Sequence, residues 1–553
     1  MENEIRIKKG LKIGELDAES DQKYLDDVFI DNGTISTLID VEEHASIIVG
    51  RTGAGKSALI YKISKSVANP IQIDPTNISI RFLENSNIIQ FLNELGIKLD
   101  LFYRLLWKHI LVLDLIKNRY NIKNQSESTN FLMRISNWKS KNSAKREMAL
   151  SYFREWGEKF WQDTEEHIKE ITDKFASDIK SKLQAKSLPV ELSLEGAKSL
   201  SLETKSEIKS LANSAVNQIQ IQKLNEIIDT LEEEAFNDNQ KAYHILIDRL
   251  DENWAETETR CRFIRALIEE IKSFRKLKQV KIIAAIRQDL LEIVLDKTRD
   301  AGFQQEKYEA YFLYIKWNKE DLKKLLERRV SKVYEHQYTK HNVTFEDIFP
   351  KPKQGQAAID FLIERTLLRP RDIIQFANEC FLQSESMPYI TWRKMTAAEH
   401  IYSTKRLKSL LEEWAEYYPS LKYSIELLIE MPSTFTRSQI DSQKLIDLSA
   451  ELYNLDDDSC DSCVRVAKNL YDKPTNSQSD FVSQLIMCFY AIGLIGIKTS
   501  ATSTFLWSYL DQSNISKSEA KRANQMKVHK MYRLALNIRD NRYTDENDDH
   551  LES

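Results

Sequence analysis

Three of the chain's thirteen glycines, Gly50, Gly53 and Gly55, fall within six positions, just ahead of Lys56 and Ser57. The stretch Gly50-Arg51-Thr52-Gly53-Ala54-Gly55-Lys56-Ser57 fits the pattern G-x-x-x-x-G-K-[ST]. Residue types in this spacing are suited to holding a polyphosphate. Glycines let the backbone wrap a phosphate, while successive N–H groups and the start of the following helix supply partial positive charge. Lys56 would reach the β- and γ-phosphates, and the Ser57 hydroxyl would take a place on Mg²⁺. The expected ligands are therefore ATP and Mg²⁺. The competing reading is an ordinary helix-capping loop.

A phosphate loop that uses Mg²⁺ needs a carboxylate at the end of a neighbouring strand. Asp248 meets that need, directly after the apolar run Tyr243–Ile247, and Asp251 and Glu252 follow three and four places on. Either could orient an attacking water. The alternative is a strand leaving the core into a solvated acidic turn. A further apolar run, Val280–Ile286, ends in Arg287. An arginine at the carboxyl end of an open α/β sheet faces the ligand crevice, so Arg287 is expected to contact the γ-phosphate, or else to form a surface ion pair. Downstream, Arg369-Pro370-Arg371 opens a helix with proline at its first position. Arg369 and Arg371 are candidates to reach the nucleotide from a lid, with helix capping and domain docking as the alternative.

These residues must be carried by an α/β core. Ala45–Val49 reads as a buried strand before the loop, Ser57–Ile63 as the helix after it, and Ile71–Asp74 as a second strand. The long separation between Ser57 and Asp248 implies a helical insertion at about 88–236. Within it, alternating Val190, Leu192 and Leu194, then Gly196, then Leu200 and Leu202, suggest a small β-hairpin near 189–203. The expected domains are a phosphate-loop domain at 1–300, a helical lid at 301–410 and a winged-helix-like module at 411–539, with its wing hairpin at 492–507. An acidic, disordered tail is expected at 540–553. Trp107, Trp156 and Trp161 in the insertion are read as core or partner-packing residues, and no internal repeat is visible.

Composition narrows the function classes. With 79 Lys+Arg against 84 Asp+Glu, the formal charge is −5, which excludes a polybasic nucleic-acid coat. Any nucleic-acid site must be a local patch. The candidate is the C-terminal region, where residues 515–539 hold seven Lys/Arg against one Glu. Only thirteen glycines and ten prolines punctuate 553 residues, so the fold should be mostly helical. Five cysteines exclude a disulfide scaffold, and the lone pair Cys460/Cys463 reads as thiols rather than as a zinc site. No stretch approaches the ~18 apolar residues of a membrane helix, and the charged N-terminus lacks an apolar leader core. A cytoplasmic location without membrane contact is expected.

With these pieces lined up, the chain resembles bacterial P-loop ATPases of the STAND/AAA+ side over roughly residues 10–400. Ile245–Glu252 is similar to the Asp-Gly-Leu-Asp-Glu signature of NACHT-type ATPases and to the acidic strand of KAP-type ATPases, with Arg249 in place of the NACHT glycine. The Arg287 strand and the Arg369-Pro370-Arg371-Asp372 helix start recur in related ATPases. The resemblance implies Lys56 and Ser57 for phosphates and Mg²⁺, Asp248 for Mg²⁺, and Asp251 or Glu252 for water activation. It also implies a switch ATPase that forms a homo-oligomer and controls a protein effector, of a kind found in antiphage defence loci. The rivals are a DNA-associated AAA+ ATPase of initiator or loader type and a nucleotide-binding scaffold without turnover.

Overall fold

Strands buried on both faces read as unbroken apolar runs, and three of them make the centre of the larger sheet. In the computed structural model these are β1 (Ile47–Gly50), β3 (Tyr243–Ile247) and β4 (Val280–Arg287), apolar and buried nearly throughout. Two shorter strands flank them. β2 (Pro70–Ile73) starts on a proline and alternates in burial, as suits an edge, and β5 (Phe312–Tyr314) closes the other side. The order is β2-β3-β4-β1-β5, with every pairing parallel. The described residues are 5–75, 86–97, 99–135, 143–156, 159–162, 164–185, 192–198, 200–218, 220–236, 241–252, 257–299, 306–335, 343–455, 461–472, 474–500 and 502–538. The acidic tail at 540–553 lies outside them.

The sheet belongs to a compact unit, Asp31–Lys316. Its strands are covered by helices, and the insertion between β2 and β3 is part of the same core. Helix Asp100–Tyr120 is apolar for most of its length and packs along helix Thr257–Phe274. The buried Trp107 indole donates to the Phe263 carbonyl at 2.9 Å. Arg104 pairs with Glu270 at 2.7 Å and Glu269 at 3.3 Å, and Arg262 with Asp100 at 3.2 Å. Trp156 is buried too, whereas Trp161 is exposed.

Among the described residues of 189–203 the expected hairpin is not seen. Leu194–Lys198 and Leu202–Gln218 are helices; residues 186–191 and 199 lie outside the described residues. Two serines explain the difference. Ser193 Oγ accepts from Gly196 N at 3.1 Å, and Ser201 Oγ from Thr204 N at 3.3 Å, each in the manner of a helix N-cap. Leu192 and Leu200 then point into the core between short helical turns, which imitates strand alternation over so few residues.

A second compact unit joins Met1–Ile30 to Trp317–Ser553, so the first thirty residues do not group with the phosphate loop as expected. They are strapped in place by polar contacts. Arg329 Nη2 pairs with Asp21 at 2.5 Å and Nη1 donates to the Ile13 carbonyl at 3.1 Å, both buried. Asn378 accepts from Ile13 N and donates to the Gly14 carbonyl, each at 2.9 Å. Gly14 must be glycine here: its φ is +157°, and a Cβ would lie 1.9 Å from Arg329 Nη1.

The C-terminal part of this unit contains β6 (Thr434–Phe435), β7 (Ile495–Lys498) and β8 (Gln525–Val528). They pair antiparallel in the order β6-β8-β7. Helices Ser442–Tyr453, Ser462–Asp472 and Pro474–Ala491 lie between β6 and β7 in the chain, a winged-helix-like arrangement. Of the expected wing at 492–507, β7 forms, and Ile497 and Leu506 exchange backbone hydrogen bonds at 3.0 and 2.8 Å, while the partner along the length of β7 is residues 525–528. The indole of Trp507 adds to this pairing. It lies against Gly496, where a Cβ would come within 2.6 Å of the ring, so the segment near 507 packs on the strand by its side chain. Gly496→Ala should therefore overpack this contact and cost about 1–3 kcal/mol. Denaturant unfolding checks it, and a midpoint equal to the parent's would contradict the packing described.

Candidate functional site

Parallel strands deliver their carboxyl ends to one edge of the sheet, and ligands bind in the crevice outside that edge. The loop after β1 rises there. Gly53 and Gly55 have φ of 77° and 94°, values that L side chains resist, and Gly55 starts helix Lys56–Ser66. The loop thus closes over the helix N-terminus, where backbone N–H groups lack helical partners. The Lys56 ammonium donates to the Gly50 and Arg51 carbonyls at 3.2 and 3.3 Å. Burial pushes its pKa below the usual lysine range, opposed by the charges of Asp251, Asp248 and Asp289.

Asp248 follows β3 and accepts a hydrogen bond from the Ser57 hydroxyl. It also accepts from the Arg249 backbone N–H at 2.9 Å. Burial raises its pKa against these bonds and the nearby Lys56 charge. A hydroxyl and a carboxylate are hard oxygen donors, and Mg²⁺ is held by one or two carboxylates together with phosphates and waters. The Ser57–Asp248 pair fits that ion. Among the described residues no cluster of three or more His, Cys, Asp or Glu could hold a metal alone, so the remaining donors would have to come from a ligand and water.

The parallel register sets Arg287 opposite Gly50 on adjacent strands. Its guanidinium is largely buried and pairs with Asp289 through both carboxylate oxygens, one contact being Nε to Oδ1 at 3.1 Å. On the other side, Asp251 Oδ2 lies 3.8 Å from Arg287 Nε. Lys56, Ser57, Asp248, Asp251 and Arg287 thus come together. Glu252 diverges from them. Its side chain is 52% exposed against 31% for Asp251, and its carboxylate lies 3.6 Å from Arg249 Nε. Arg249 has φ of 63°, a left-handed position that favours glycine. It also pairs with Asp74, at the end of β2, at 3.3 Å.

Two further acids belong to these surroundings, Asp289 and Asp74. In the sequence an acid closing a strand candidate marks Asp74, whereas only its place two residues after Arg287 marks Asp289.

Arg369 and Arg371 belong to the other unit. Arg369 is buried, donating to Asp372 at 2.9 Å with Glu413 at 3.8 Å, and Asp372 also faces Arg406 at 3.3 Å. Its contacts are those of a buried ion pair at the start of helix Pro370–Gln383, where Arg369 holds the N-cap position without a side-chain cap bond. Arg371 donates to the Leu16 carbonyl at 3.2 Å, helping to hold the N-terminal strap. Cys463 lies buried against Cys488, and Cys460 lies outside the described residues.

Comparison with known proteins adds three findings. Residues 320–411 match the model of the FunZ-associated C-terminal helical domain. That match covers the helices that follow the sheet-containing unit, Arg369 and Arg371 included. Over 547 residues the chain is 22% identical to the "Putative transposon gamma-delta 80.3 kDa protein" of Escherichia coli (strain K12), covering 96% of this chain and 68% of that protein. Among solved structures, it is similar to the Walker-type ATPase PABY2304 of Pyrococcus abyssi, at 14% identity and a TM-score of 0.36, over 90% of this chain and 96% of that one. The fold assignment here rests on the strand order and the loop: this is an α/β P-loop NTPase core with helical additions. No helix among the described residues is long and apolar enough to cross a membrane.

Two outcomes follow from these contacts. Were Mg·ATP the ligand of this site, as proposed below, its binding would require Asp248 ionised and Lys56 protonated. Affinity should therefore fall on the acid side along a limb above the ordinary aspartate range, and on the alkaline side along a limb below the ordinary lysine range. Calorimetric titrations across pH check both limbs. Arg369→Ala should register as a stability loss of about 1–3 kcal/mol, because the buried Asp372 loses one of its two arginine partners and keeps Arg406. Denaturant unfolding measures it, and unchanged stability would count against a structural role.

Proposed function

We propose that this chain binds and hydrolyses Mg·ATP and uses the cycle as a regulatory switch. In this reading it assembles with copies of itself in the cytoplasm and controls a protein effector. The observation that supports this best is the convergence of Lys56, Ser57, Asp248, Asp251 and Arg287 on the carboxyl edge of one parallel sheet. Lys56 would neutralise the β- and γ-phosphates in place of its two carbonyl contacts. Ser57 and Asp248 would hold Mg²⁺, which when bound supplies charge neutralisation between the phosphates. Asp251 or Glu252 would orient and deprotonate the attacking water, and Arg287 would contact the γ-phosphate. Arg369 and Arg371 serve the nucleotide only if the contacts described above are exchanged. The likeness to STAND-side ATPases supports a switch role and a place in antiphage defence, with the effector chemistry in a partner.

A second reading is supported by the winged-helix-like order of β6, β8 and β7 and by the transposon-named relative. Under it the chain is a DNA-associated ATPase that touches nucleic acid through the C-terminal region. Helix Pro474–Ala491, which precedes the wing, carries no Lys or Arg, so the switch reading is preferred. DNA-stimulated hydrolysis that weakens steeply with salt would reverse that order.

Lys56→Ala should abolish or greatly weaken Mg·ATP binding in calorimetry; unchanged affinity would sink the assignment of the loop. For turnover, Glu252→Gln and Asp251→Asn should both keep nucleotide affinity. The variant lacking the true base should lose about 10²–10⁴ in single-turnover rate. If neither variant slows hydrolysis, the acidic turn is not catalytic.

A further inference from the structure

Arg287 carries the γ-phosphate contact in the function proposed above, yet an arginine side chain is long and must be held to serve a fixed position. The structure provides a holder. Arg287 is both the last residue of β4 and the N-cap position of helix Gln288–Lys297, with extended φ and ψ of −67° and 141°. Asp289 sits in the first turn of that helix, where a carboxylate is favoured by the helix dipole. Its two oxygens accept from Arg287 Nε and Nη2. Two parallel bonds of this kind fix the plane of a guanidinium, which a single contact does not. Both side chains are nearly buried, at 12% and 14% exposure, so the pair is shielded from competing water. The strand register puts it beside Gly50, at the root of the phosphate loop, and the charge of Asp289 reaches Lys56.

We propose that Asp289 is the positioning residue for Arg287, clamping its guanidinium at the sheet edge where a γ-phosphate would lie. The proposal rests on the reading of this site as an ATPase centre. Asp289 has no contact with the ligand in this scheme and acts only through Arg287. Such a role differs from plain helix capping in what it controls: the preference for ATP over ADP and the turnover rate, both through the arginine.

The test uses the full chain in five forms: parent, Arg287→Ala, Asp289→Asn, the double variant and the conservative Asp289→Glu. Thermal melts check folding. Asp289→Asn should lower kcat by roughly 10–10², with KM for ATP changed far less, and should reduce the ATP-over-ADP affinity ratio as Arg287→Ala does. Adding Asp289→Asn to Arg287→Ala should change nothing further, and Asp289→Glu should recover part of the loss. If Arg287→Ala is impaired while Asp289→Asn matches the parent, the positioning role is wrong and the ATPase reading stands. If Asp289→Asn turns over faster, Asp289 sequesters the arginine, which also overturns the proposal. Effects that add in the double variant overturn it as well. If Arg287→Ala itself leaves hydrolysis and the ATP preference intact, the role of Arg287 falls and this inference falls with it.

Discussion

Burying a lysine beside three aspartates sets a demand that most of this unit is arranged to meet. Desolvation works against the charge of Lys56 and of Asp248 alike, and the charge of each favours the ionised form of the other. Removing a partner from such a cluster leaves an uncompensated charge, which costs far more than the pair gains. The partners come from segments distant in sequence: the loop after β1, the turn after β3 and the end of β4. Only a parallel sheet with its strands in register brings these three ends to one edge. The left-handed glycines at 53 and 55, the positive φ of Arg249 and the Arg287–Asp289 pair are local consequences of closing backbone and side chains around that point.

Much of the site could be read from the chain because its signals are local. The loop is a contiguous run whose glycine positions answer to backbone geometry, and an apolar run ending in Asp248 or Arg287 announces a strand and what it carries. The insertion of β4 between β1 and β3 could not be read, since strand order depends on contacts that leave no periodic trace. That order is what sets Arg287, and with it Asp289, beside Gly50. The hairpin expected near Gly196 failed for a different reason. Alternating leucines over five or six residues fit a strand or two short helical turns, and the caps at Ser193 and Ser201 decided for helix. The wing's first strand and its return as far as Leu506 are legible in the apolar pattern, but the strand that pairs along the length of β7 lies further on, at 525–528.

The insertion shows how an addition becomes part of a core. Helix Asp100–Tyr120 contributes buried residues to the same cluster as the strands, and its ion pairs run to the helix that follows the acidic turn. That helix, Thr257–Phe274, also carries the buried Arg260, which donates to the Glu252 carbonyl at 3.4 Å. A continuous chain of packed and bonded groups therefore joins the inserted helices to the turn that bears Asp251 and Glu252. On the other unit, the Arg369–Asp372–Arg406 cluster ties helix Pro370–Gln383 to helix Trp392–Trp414 by the same means.

The strap formed by the first thirty residues gives the chain an order of assembly on the ribosome. Those residues are translated before Asp31–Lys316, but Arg329 and Asn378, which hold Asp21, Ile13 and Gly14, are translated only after the whole of it. At synthesis rates of about 5–20 residues per second, the nascent leader waits some tens of seconds for its partners. All of Asp31–Lys316 is synthesised within that interval, so the sheet-containing unit has its whole sequence before the contacts of Ile13, Gly14 and Asp21 can form.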